Sequence, residues 1–425
     1  MKKFITLLII FLFVHSFCLY ADNVDSFDND PLAIGQKKPF GIQERSFEIG
    51  IMNFNLDFAN NFLSISEVFQ DVINIDIDKL SDGFNLNMGL NVTPFYFSIK
   101  TKKGWGFGLS TNMEAIGVLA LPGSMLTLSE AVQENSDISG ALFASATINT
   151  FFNVKKLKIN INPSLFYTLA YITPPPESTS GLVYTLDYPD GNTVMCIDYS
   201  IRLYTGFPLD NTDNFSLTAK PGFDFNVGFE YPLAKEIGLS KILPFLDFDI
   251  SLNFVHVPLI ASKISDYTQI DGRFGSNEPI KLFNGDDNGN GFLSSFDSSN
   301  NEPYTGTEEI EVTRPFKIVA RLDWRPLFGI KLLTVSPVFG LCYNKLYHDP
   351  VSWEWGLNAC LNLANFLLVK AGVNYTDRIY INSIGIAINV KAFELDIGGD
   401  LRSQTFTDSW TGKGFGVNFG LKFGW

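Results

Sequence analysis

The chain of 425 residues carries only four cysteines and three histidines. Beyond Cys18, its cysteines are Cys196, Cys342 and Cys360, with no CxxC spacing. An odd, scattered set in strand-like runs excludes a disulfide framework and a thiolate metal site, and reads as small apolar residues on strand faces. After residue 21 no apolar run approaches the roughly 18 residues that a membrane helix requires. There is no GxSxG elbow, Walker loop or HExxH pair, so no enzyme is expected. His256 and His348, in strand-end or loop settings, read as structural. Gly104-x-Gly106-x-Gly108 precedes no helix and is no nucleotide fingerprint. Basic charge is also short: the net charge is −14, which excludes nucleic acid as a partner. No Pro/Ser/Gly-rich linker divides the chain, which favours one unit.

What the sequence does have is apolarity in dispersed form. Hydrophobic residues make up 46% of the chain, among them forty Phe, beside thirty-five Gly. At the N-terminus, Lys2 and Lys3 precede an apolar run from Phe4 to Phe13 and a Leu19-Tyr20-Ala21 site. This reads as a secretory signal, residues 1–21, cleaved after Ala21. Cys18 offers a lipoprotein alternative, which the bulky Phe17 before it opposes. Residues 22–44 read as a periplasmic or luminal extension, and 45–425 as the folded unit.

The last stretch, Gly414 to Trp425, sets Phe415, Val417, Phe419, Leu421, Phe423 and Trp425 on one parity and Gly, Asn and Lys on the other. Such a strand suits a wall with hydrocarbon on one side. The same alternation recurs from Arg45 onward. It slips by one at Ile51–Met52, which predicts a bulge, and breaks at Pro94. Strands alternating in this way predict an all-β fold: a closed antiparallel transmembrane β-barrel of about 14 to 16 strands with short helices in its extracellular connections. Sixteen strands are counted in full, or fourteen if Gly181 to Tyr204 is only a loop hairpin.

Taking Trp425 as periplasmic, counting back places short turns near Lys391, Asn365, Leu327, Asp190, Val154 and Lys102 on the periplasmic side. The longer connections fall outside, except 232–242. That sorting is the habit of outer-membrane barrels. Trp105, Trp324 and Trp425 fall at periplasmic strand ends and Trp353, Trp355 and Trp410 at extracellular ones, as two girdles.

The signal sequence, the Phe-rich alternating strands and the aromatic C-terminus together resemble spirochaete-type outer-membrane β-barrel proteins, grouped loosely with fatty-acid-transporter-like barrels. The resemblance implies residence in the bacterial outer membrane, contact with its lipid, and recognition by the barrel-assembly machinery through Phe415, Phe419, Phe423 and Trp425. It also implies passive or hydrophobic-solute transport. Where a fatty-acid transporter carries an Asn-Pro-Ala type hatch, this chain has Asp30-Pro31-Leu32-Ala33. The alternative is a surface-exposed adhesin or structural barrel acting through the acidic loop 259–308, where alternation stops.

Within that loop, Asp286, Asn288, Asn290, Phe292, Ser294 and Asp297 hold the ligand positions of a 12-residue calcium loop, with Gly291 at the turn. Two features depart from that pattern, Asp297 in place of the usual bidentate Glu and the lack of strong flanking helices; calcium is the one cofactor the sequence suggests. Capping-box patterns at Ser64–Glu67 and Thr127–Glu130 predict amphipathic helices over 64–73 and 124–134.

Overall fold

The computed structural model describes residues 47–61, 84–101, 105–121, 137–175, 182–187, 194–207, 217–275, 297–300, 303–327, 332–363, 366–390 and 392–424. Signal, extension, both predicted helices, Trp425 and calcium-loop positions Asp286 to Ser294 lie outside the described residues.

Fourteen antiparallel strands close into a barrel. In wall order they are β1 (Phe47–Asn60), β2 (Phe84–Lys100), β3 (Trp105–Leu121), β4 (Asp137–Val154), β5 (Leu157–Thr173), β8 (Gly222–Tyr231), β9 (Asp247–Ile260), β13 (Phe316–Arg325), β14 (Leu333–Tyr343), β15 (Val351–Leu363), β16 (Leu367–Thr376), β17 (Ile379–Val390), β18 (Phe393–Ser403) and β19 (Gly414–Gly424). The ring closes where β19 pairs with β1, from Glu48 opposite Gly424 to Ala59 opposite Gly414. Closure pairs the backbone groups between strands, the condition for crossing hydrocarbon with sheet.

The alternation sorts the side chains as the sequence predicts. Phe415, Val417 and Phe423 on β19 are exposed on the outer surface, while Gly416, Gly420 and Lys422 face inward and are buried. The slip at Met52 is a real bulge: its φ is 53° and the register against β19 shifts between Ile51 and Phe54. Pro94 sits at a matching shift between Val92 and Phe95 in the β2–β3 pair. One kink therefore passes through two adjacent strands.

The two ends of the barrel differ. At the turn end, connections are short, except that 232–246 folds as α1 (Leu233–Glu236), α2 (Leu239–Ile242) and a 3-10 turn, Pro244–Leu246. Trp105 and Trp324 lie at this end and Trp353, Trp355 and Trp410 at the other, as the girdle pattern predicts.

At the loop end two expectations are corrected. The hairpin of β6 (Leu182–Asp187) and β7 (Val194–Thr205) is not among the fourteen wall strands, so the periplasmic turn expected near Asp190 is not found between two wall strands. Strand β7 pairs with the far tip of β5, Ala170 opposite Thr205 and Thr173 opposite Arg202, which sends its hairpin upward from the loop-end rim. Parity counting assumes that every strand spans, and these two do not.

Nor is 259–308 wholly without strands. It contains β10 (Ser262–Gly275), β11 (Asp297–Asn300) and the start of β12 (Tyr304–Val312). Strand β10 pairs with both β7 and β12. Above the rim, β5–β7–β10–β12 thus repeats the order β5–β8–β9–β13 below it, as a flap continuous with the wall. Polar residues occur on both faces of β10 beside the buried Ile264 and Tyr267, and a bulge between Ile264 and Asp266 flips its phase, which hides the strand from an alternation search.

Candidate luminal site

Inward positions of the spanning strands are dominated by charge, amides and glycine. Removing ionised side chains from water is costly unless they are paired, and here most are paired along the inner wall, between strands one or two places apart. Arg314 donates to both carboxylate oxygens of Asp224, at 2.6 and 2.8 Å, and to Ser164 and Ser145. Its guanidinium lies over the Phe166 ring. Lys317 Nζ lies 2.8 Å from Glu354 and 3.0 Å from Asp377. Lys370 pairs with Asp396, and Arg402 with both Asp57 and Asp400. Nearer the turn end, Arg325 holds Asp247 and Asp249.

Glycine decides how these side chains lie. A Cβ on Gly398 would come 2.1 Å from Oδ1 of Asn418, and one on Gly89 would come 2.2 Å from Oδ1 of Asp57. Each glycine seats a polar side chain of the neighbouring strand against the wall, where any larger residue would push it toward the axis.

The space so preserved is a cavity of about 320 Å³ in the loop-end half of the lumen. Its walls come from β1–β3 and β15–β19, with Asn55, Asn91, Glu114, Lys370, Asp400 and Asn418 among the lining. This is the low end of small-molecule pockets, which run from about 300 to 1,000 Å³.

The cavity has a roof. Between β14 and β15 the chain turns inward at 344–350, closed by an Asn344 N–H bond to Pro350 O at 2.7 Å and fixed by Asn344 Oδ1 accepting from Leu346 N. Tyr347 lines the cavity and donates to Asp377 O at 3.1 Å. The loop also reaches across the mouth: Leu346 O accepts from Ser139 on β4. Its side chain is buried in an apolar cluster with Phe143, Phe166, Tyr204, Ile264 and Val312. Asp377 and Arg378, both at positive φ, form the tight β16–β17 turn beneath. Arg378 binds Asp349 O and stacks on Tyr347.

The other candidates divide. Cys342, Glu354 and Asp377 bring their ligand atoms within 4.8 Å of one another, but the Lys317 ammonium already occupies that place as the partner of both carboxylates. His256 is buried, its N–H bonded to Asn226 Oδ1 and its Nδ1 lying 3.1 Å from Pro315 O, a structural tie at a bulge. Of the calcium-loop positions, Asp297 alone has a described backbone, which opens β11 opposite Gly275. Phe415, Phe419 and Phe423 stand on the outward face of β19. Sequence reasoning missed Glu114 and its amide neighbours. The available signal was their inward phase on strands already identified.

No family model and no curated protein matches the sequence. Solved structures similar to this chain include the Pseudomonas putida toluene transporter TodX, at 9% identity over 89% of this chain and 90% of that one, with a TM-score of 0.45. A Pseudomonas aeruginosa FadL homologue matches at 10% identity over 94% of each chain, TM-score 0.44. The translocator domain of the autotransporter NalP from Neisseria meningitidis matches at 6% over 95% and 100%, TM-score 0.36. Likenesses at this level carry no inference about activity.

Proposed function

We propose that the chain is an outer-membrane barrel that passes small solutes across the membrane, with the roofed luminal cavity as the narrow point of the passage. The observation that carries this reading is the combination of an apolar outer surface with a polar cavity kept open by inward glycines beneath an inward-folded loop. A wall built only as an anchor for surface loops gains nothing from that arrangement. The polar lining favours passive movement of small polar solutes over the hydrophobic ones that the sequence resemblance also implies.

Purified full-length chain refolded into liposomes tests this, with heat-modifiable gel migration confirming the inserted barrel. Glycine-driven swelling is expected to be slow with the wild type and several-fold faster when 345–349 is replaced by a two-glycine link. An inserted barrel that passes glycine in neither form overturns the reading. The adhesin alternative keeps one specific support, the flap of β7, β10 and β12 standing beyond the rim with Glu308, Glu309 and Glu311 on it. Cell-binding lost on removing the flap, with swelling unchanged, would favour that alternative.

A further inference from the structure

Four inward residues stand in one unbroken register row. Asn418 on β19 is opposite Asn55 on β1, Asn55 is opposite Asn91 on β2, and Asn91 is opposite Glu114 on β3. Their chain neighbours Val417, Leu56, Leu90 and Met113 are exposed on the outer surface, so all four side chains belong to the lumen, and all four line the cavity. The next residue in the row, Phe143 on β4, begins the apolar cluster. Glu114 is therefore the end of a polar lane at the edge of an apolar wall.

Glu114 differs from the other acids of the cavity in its lack of an ion pair: Asp396, equally buried, is held by Lys370. Glu114 is only 6% exposed, and its Oε2 has no hydrogen-bond partner. The cations near it are already engaged: Arg314 is held in both directions by Asp224, and Lys317 lies between Glu354 and Asp377. The cavity also holds an excess of negative charge, because Arg402 is shared by Asp57 and Asp400 and Lys317 by two acids, with Glu114 beyond both sets. A buried carboxylate without a partner is expensive to keep ionised. A positively charged solute entering the cavity relieves that cost.

We propose that the luminal cavity is a binding site for a small organic cation, its ammonium on Glu114 and its remaining hydrogen-bonding groups along the Asn91–Asn55–Asn418 lane. An ammonium brings three donors, one for the free carboxylate oxygen and others for amide oxygens. A single free carboxylate is a poor match for calcium, which takes 6–8 oxygen ligands. The site favours amines over hard divalent ions, and a short hydroxyalkylamine fits both its size and its polarity. The proposal rests on the same cavity as the proposed passage and names the solute class it prefers.

The test is calorimetric titration of the full-length refolded barrel in detergent, with ethanolamine, acetate, ethylene glycol and calcium chloride as probes. Saturable binding of ethanolamine is expected, with none for acetate or ethylene glycol. Glu114→Gln, which keeps the shape and removes the charge, should weaken ethanolamine at least tenfold. Asn55→Leu, which leaves every charge in place, should weaken it several-fold and serves if the first variant does not refold. Absence of saturable ethanolamine binding to the wild type overturns the proposal, as does equal affinity in the folded Glu114→Gln barrel or tighter binding of calcium than of ethanolamine. Swelling assays on the same preparations separate the two readings. Flux without ethanolamine binding removes the cation site and leaves the passage, whereas binding without flux removes the passage and leaves the site.

Discussion

Around the lumen, the wall from β4 to β14 and the wall from β15 through β19 to β3 treat their inward positions differently. On the first, Arg314 is clamped by Asp224, Ser145 and Ser164 over the Phe166 ring, and Phe143, Tyr204, Ile264 and Leu346 fill the mouth beside it. On the second, glycines opposite Asn418 and Asp57 hold polar side chains flat and leave a cavity. Both walls carry ionised groups of similar burial. On the packed wall Asp224, Asp247 and Asp249 are each ion-paired to an arginine, whereas Glu114 on the cavity wall is in no ion pair and has an unpartnered oxygen. The difference teaches that burial alone does not mark a site: the mark is burial without partnership, next to space.

Breaking the packed side should cost most. Arg314→Met removes the cation and leaves Asp224 buried at 1% exposure, for a loss of about 3–5 kcal/mol, read from urea unfolding in vesicles followed by tryptophan fluorescence. On the cavity side, Glu114→Gln should leave the same midpoint unchanged or raise it, since no pair is broken. Equal losses in the two variants would erase the contrast.

The outer face gives the next effect. Ile384 lies mid-strand on β17 and is 65% exposed on the outer surface. Ile384→Arg should destabilise the inserted barrel by about 2–4 kcal/mol if that face meets hydrocarbon. A neutral result would place the surface in water instead. Smaller again is Gly398→Ala, whose new methyl displaces Asn418 at a cost of about 1–3 kcal/mol for overpacking. The same variant should also weaken ethanolamine binding through the lane.

Much of the barrel was legible because its forces are local to each strand. The parity of Phe415 to Phe423 named the outer face, and the slip at Met52 and the break at Pro94 marked two of the register shifts that the structure shows. The flap was not legible, because the buried positions of β10, Ile264 and Tyr267, fall on opposite parities across its bulge, so no alternation declares the strand. The hairpin of β6 and β7 was expected and put at the wrong end, because which end it occupies depends on β7 pairing with the tip of β5, a contact between distant residues. The site was half legible. Glu114, Asn55, Asn91 and Asn418 stand at inward phase in the sequence, but their alignment in one row follows from three registers that no single strand encodes. That Lys317 and Arg314 are already engaged is likewise a matter of β8, β15 and the β16–β17 turn, not of β3.

The smallest effect concerns the flap, where the partnering of acids can be read beyond the rim of the barrel. Glu309 on β12 lies 2.7 Å from the ammonium of Lys220 and 2.8 Å from that of Lys263. The backbones of those two lysines are themselves bridged. Hydrogen bonds from Lys220 and then Lys263 hold the Glu309 carboxyl down to about 2, against an ordinary 4.5. Because the folded value lies below the unfolded one, the contact contributes its full stability above about pH 4.5 and loses it as the pH falls through about 2. The group is open to solvent, so the contribution is small and salt-screened. Carbon-detected NMR titration of the Glu309 carboxyl in the refolded barrel should find a midpoint near 2 at low salt, moving toward 4.5 in Lys220→Met/Lys263→Met. A midpoint already near 4.5 in the wild type would mean that the base of the flap is not clamped at this position, and that its attachment to the wall rests on the β7–β10–β12 ladder alone.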